Sequence, residues 1–146
     1  MKNNKSRNGF TLIELIMVMI ILGIMAAVAI PRYLETIEKS EVASEDAIVN
    51  NIMVALENFA QNKMLTEGRR YWPDNPFDAL AKKPEGYTTS RSNDDVDTDG
   101  EWIFNEFNQI VHQRNDNSRF YWQYDKGTQD GDGAEVGSLG ERQQMN

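Results

Sequence analysis

The chain has 146 residues, a formal charge of −8 and no cysteine. That length holds one small folded domain beside any anchor, and the acidity argues against broad attraction to nucleic acid. The absence of thiols excludes disulfides, thiol catalysis, a lipid-modified cysteine and thiolate metal sites.

Residues 1–9 form a polar leader carrying Lys2, Lys5 and Arg7 and no acid. From Phe10 to Ile30 only Thr11 and Glu14 interrupt an apolar run, which as a helix would span roughly 31 Å, about the thickness of a hydrocarbon core. Residues 10–31 therefore read as a membrane-spanning segment. Positive charge before it and acid after it place the N-terminus in the cytoplasm and the rest of the chain outside. A secretory signal is cut after its apolar stretch; here the plausible site precedes it, so the anchor is retained. Loss of the three leader cations would take the charge from −8 to −11.

Glu14 is the informative residue of this segment, because a carboxylate among lipid tails costs up to a few kcal/mol and is expected to find a partner. No Lys, Arg or His lies between Phe10 and Pro31. Cutting between Gly9 and Phe10 would create an α-amino group four residues before Glu14, one helical turn away. The other reading is that Glu14 reaches the lipid headgroups from near the helix end.

Gly9, Phe10, Thr11, Leu12, Ile13 and Glu14, followed by the apolar run, resemble the processing signal of type IV pilins and type II secretion pseudopilins. The resemblance implies a prepilin peptidase that cuts after Gly9 and methylates Phe10, and a role for Glu14 in assembly. Gly23 and Pro31 match a helix-breaking pair common in that family. Further partners implied are other copies, related pilin-like subunits and an inner-membrane assembly platform driven by a cytoplasmic ATPase. The expected protein is then a structural filament subunit, of a type IV pilus or a secretion pseudopilus. It would be held first in the bacterial inner membrane with its head in the periplasm. No catalytic constellation is present, so an enzyme is not expected. The alternative is a membrane-tethered calcium-responsive module that does not polymerise.

Beyond the anchor, Pro31 should kink or locally unwind the helix. Residues 32–65 read as an amphipathic continuation with Leu34, Ile37, Ile48, Ile52, Ala55, Leu56 and Phe59 on one stripe. Residues 66–126 read as a head, beginning with a glycine- and proline-rich connection and a short helical turn near residues 77–82. Trp102 to Asn105, Ile110 to Arg114 and Arg119 to Asp125 read as three antiparallel strands joined by turns at NEFNQ and NDNS. The fold class is thus α+β: a long N-terminal helix packed on a small antiparallel sheet, in the pilin-like manner. Residues 127–146 are rich in glycine and acid and read as a mobile tail.

Asp95-Val96-Asp97-Thr98-Asp99-Gly100 followed by Glu106 satisfies the pattern of a calcium loop, with the Glu101 carbonyl as a further ligand. No cofactor is required by this reading. The loop is either a calcium site or a solvated acidic turn, and no helix is evident before Asp95. His112, the single histidine, reads as a surface or sheet-edge residue. Trp102, Phe104, Phe120, Trp122 and Tyr124 read as packing between sheet and helix, and Tyr121 is left without a role.

Overall fold

A computed structural model describes residues 9–127 and 137–145. The leader up to Asn8 and residues 128–136 of the expected tail lie outside the described residues. One helix, α1, covers Leu12–Glu67. It contributes to two compact units, residues 1–41 and residues 42–146.

In the first unit α1 passes through Pro31 without a break in helical assignment. Of the kink or local unwinding expected there, the unwinding is not seen. Proline removes one backbone donor, and the remaining bonds of an otherwise apolar helix hold the flanking turns. Large apolar side chains from Leu12 to Leu34 are exposed on all sides of this segment.

The second unit is built on the remainder of α1. Ile52, Leu56 and Ala60 are fully buried at four-residue spacings, with Ile48, Val49 and Met53 half-covered beside them. Burial of each large aliphatic side chain contributes about 1.5–3 kcal/mol. Three strands, β1 (Trp102–Phe104), β2 (Gln109–Gln113) and β3 (Arg119–Asp125), form the expected antiparallel meander. Its turns place Asn108 and Asn117 at positive φ, which asparagine tolerates better than other side-chained residues. Alternation along the strands divides two faces. Trp102, Phe104, Trp122 and Tyr124 meet the helix, as expected, with Phe120 half-covered beside them and Ile110 as a further member, while Ile103 and Val111 form a second cluster with Val96, Tyr121 and Met145 on the other face.

The connection after α1, expected to be a glycine- and proline-rich link with a short helical turn, supplies core. Trp72 stacks on Tyr124 at 5.9 Å between centroids, and Phe77, within a 3₁₀ turn at Pro76–Ala79, lies 4.5 Å from the Tyr87 ring. The end of the chain also departs from expectation. β4 (Ser138–Leu139) and β5 (Gln143–Gln144) both pair with β3. A polar segment too poor in apolar residues to fold alone has become ordered by completing an existing sheet edge.

Gly86 binds the head together at one tight point. Its φ is +81°, and a Cβ there would collide with the Gly100 carbonyl. Gly100 has the same φ but open space around it. Gly86→Ala is therefore expected to lower head stability by about 2 kcal/mol or more, and Gly100→Ala by about 1 kcal/mol. Urea unfolding followed by tryptophan fluorescence of the chain in detergent measures both.

Candidate functional site

The N-terminal site begins outside the helix. Gly9, Phe10 and Thr11 have no regular secondary structure, and Phe10 is 86% exposed. Thr11 is the N-cap of α1. Its hydroxyl accepts from the Glu14 amide at 3.3 Å, and the Glu14 carboxylate accepts from the Thr11 amide at 2.8 Å and the Thr11 hydroxyl at 2.9 Å. This reciprocal arrangement is a capping box. Within the uncut chain the carboxylate is thus satisfied by its own helix start, in addition to whatever cation cleavage would supply. The box fixes where the helix begins and leaves the Gly9–Phe10 bond in accessible, non-helical backbone. At Gly23 an added Cβ would meet nothing among the described residues, so no packing among them demands glycine there.

The acidic loop is organised by one of its own carboxylates. The Glu101 side chain, 8% exposed, accepts from the Asp97 and Thr98 amides at 3.3 and 3.4 Å and from the Thr88 hydroxyl at 2.9 Å. Its backbone carbonyl accepts from the Gln113 amide at 3.1 Å. Asp95 accepts from Ser90 at 2.6 Å, Asp97 from Thr98 at 3.0 Å, and Glu106 is exposed. Val96 is buried against the outer face of the sheet. Among the described residues no three His, Cys, Asp or Glu side chains gather as a metal-binding group. As arranged, Asp95, Asp97, Asp99, Glu101 and Glu106 are not gathered into such a group: the Glu101 carbonyl, its expected calcium ligand, faces the Gln113 amide, and the Glu101 carboxylate holds the loop's own donors. No helix precedes the loop; a single 3₁₀ turn, Asn93–Asp95, does.

A buried ionic cluster escaped the sequence reading. Glu45 is fully buried on α1 and receives a forked pair of bonds from Arg114, both 2.7 Å, together with His112 Nδ1 at 2.9 Å and Arg142 at 3.2 Å. His112 is buried, not a surface residue as expected, and its ring stacks on Trp102 at 4.2 Å. The Arg114 guanidinium lies 3.7 Å from the centre of the Phe120 ring. The signal was present in the spacing: Glu45 precedes Val49, Ile52 and Leu56 on the same helical stripe. Tyr121 also gains a role, as its hydroxyl donates to Gln143 at 2.6 Å.

Against this geometry, the family model for the prokaryotic N-terminal methylation motif matches residues 4–30. The chain carries a prokaryotic N-terminal methylation motif and is similar to type II secretion core and type IV fimbrial proteins. It is 35% identical over 88 residues to type II secretion system core protein G of Aeromonas hydrophila, covering 60% of this chain and 59% of that protein. It is 36% identical over 63 residues to the type IV major fimbrial protein of Dichelobacter nodosus, covering 42% and 39%. A fimbrial protein of Pseudomonas aeruginosa is 41% identical over 54 residues, covering 37% and 35%. The chain thus spans less than two thirds of the length of these curated relatives. No solved structure gives a significant match. The long apolar helix followed by a small antiparallel sheet is the α+β layout expected of a pilin-like chain.

The ionic cluster makes head stability depend on pH. Burial raises the Glu45 pKa, but hydrogen bonds from Arg114 and His112 and the guanidinium charge outweigh it and bring the group from 4.5 to about 2. A lowered folded-state value stabilises the fold fully above the unfolded value and loses that contribution as pH falls through 4.5 toward 2. The loss should approach roughly 3 kcal/mol. Glu45→Gln, which deprives Arg114 of its forked partner, should destabilise the head by about 3–5 kcal/mol and flatten this acid limb. Urea titrations at a series of pH values check both.

Proposed function

We propose that this chain is a structural subunit of a pilus-like filament, cut between Gly9 and Phe10 by a prepilin peptidase, methylated at Phe10 and assembled through the first part of α1. The observation that carries the reading is the match of residues 4–30 to the methylation motif, joined to a helix whose apolar side chains are exposed all round. Such a surface is stable only in lipid or against other helices like it. The helix is long and apolar enough to cross a membrane. In this reading the subunit waits in the inner membrane with its head outside, and an assembly platform adds it to a growing rod. Its work is mechanical and non-catalytic.

Glu14 sets the register. In a packed bundle of anchors an uncompensated carboxylate is costly, so subunits align where the acid meets a Phe10 amine, in the same chain or a neighbour. Methylation preserves that positive charge. Gly23, which no packing among the described residues requires, would allow close approach between helices. Between the two filament types, the match to secretion core protein G reaches further along the chain, 88 residues against 54–63 for the fimbrial proteins. That greater reach favours a secretion pseudopilus.

Gly9→Trp should leave an uncut precursor, read as a slower band on immunoblots of membranes from cells with a prepilin peptidase; normal processing would refute the cleavage assignment. Glu14→Val should be inserted and processed but absent from sheared filaments. Filaments in wild-type amount would refute the register role, and a variant that stays in the membrane would show that insertion does not need the acid.

A further inference from the structure

The head has no cysteine with which to fasten its C-terminal segment, yet residues 137–145 lie along the outer edge of β3. Tyr124 pairs with Leu139 and Asp125 with Ser138; after a short interruption, Tyr121 pairs with Gln143 and Phe120 with Gln144. The Gly140 amide donates to the Gln123 carbonyl at 2.8 Å and the Met145 amide to the Arg119 carbonyl at 2.9 Å. These bonds are few. Ser138, Gly140, Glu141, Gln143 and Gln144 are exposed, and only Gly137, Leu139, Arg142 and Met145 are half-covered. Apolar burial therefore contributes little to holding the segment, and its attachment rests on polar contacts.

Beside the 2.6 Å bond from the Tyr121 hydroxyl to Gln143, the segment makes a charged contact that reaches past the sheet edge to α1. Arg142 donates to Glu45 at 3.2 Å and to Asp46 at 3.4 Å, so one guanidinium joins the last ordered segment to the buried acid of the head. Glu45 does not depend on it alone, because Arg114 and His112 hold the same carboxylate at shorter distances. Removing Arg142 thus costs the segment its anchor without stranding the acid. Gly137 marks where the segment enters: a Cβ there would collide with the Asp125 carbonyl and the Trp72 ring.

We propose that residues 137–145 are a releasable strap, latched to the head by Arg142 on Glu45 and Asp46. Closed, it covers the β3 edge and seats Met145 on the outer apolar cluster. Open, it leaves the Arg119 and Gln123 carbonyls bare. The latch is independent of whether the anchor helix builds a filament.

The test is hydrogen exchange by mass spectrometry on the full chain in detergent micelles, comparing wild type with Arg142→Ala and Arg142→Lys. Arg142→Ala should accelerate exchange in peptides covering residues 137–145 by about tenfold or more while peptides covering 102–113 keep their protection, and Arg142→Lys should restore part of the difference. Unchanged protection of the strap in Arg142→Ala would overturn the latch. Equal loss of protection in strap and sheet would also overturn the proposal, showing that the segment opens only when the head unfolds.

Discussion

An apolar helix surface exposed around its circumference has to be covered by something other than water. From Leu12 through Met25 the large apolar side chains all stand open, a surface that a soluble domain would bury on one side only. Lipid satisfies it, and so do copies of the same helix, and the two environments make opposite demands on the single acid in the segment. At a headgroup boundary Glu14 can reach water; inside a bundle it needs a cation or a donor. The capping box shows how a single chain meets the second demand for itself, using the Thr11 amide and hydroxyl. In the assembly proposed, an incoming amine would meet a carboxylate already held in place at the helix start.

The head solves a related problem differently. Glu45 is also an acid inside an apolar stripe, but it is buried in a folded unit with a fork of donors from Arg114 and a third from His112. Replacing such a cluster with well-packed apolar residues would often serve stability equally well. What the ions add is directionality. They tie one position on α1 to one end of β2, and through Arg142 to the end of the chain. In a head with no cysteine and a small core, that fixes which side of the sheet meets the helix and where the final segment lies.

Much of this was legible in the sequence, for reasons that can be named. The anchor, the N-terminal motif and the three strands rest on long apolar runs or on period-two alternation of aromatic and β-branched residues, both of which act locally. The fold of residues 137–145 was not legible, because its order comes from an edge supplied by distant residues. His112 was misplaced for the same reason: nothing near it in sequence announces Glu45, sixty-seven positions away. The capping box, by contrast, is written plainly in the sequence as Thr11-Leu12-Ile13-Glu14. At the acidic loop the residue pattern was readable but the side-chain directions were not, since Glu101 turns inward to the Asp97 and Thr98 amides.

The central claim is that proteolysis before Phe10 prepares this helix for assembly, and intact-mass spectrometry of the protein purified from its native membrane addresses it most directly. The account predicts one mature species that begins at Phe10 and carries a single added methyl group. A native protein that retains residues 1–9 would contradict it.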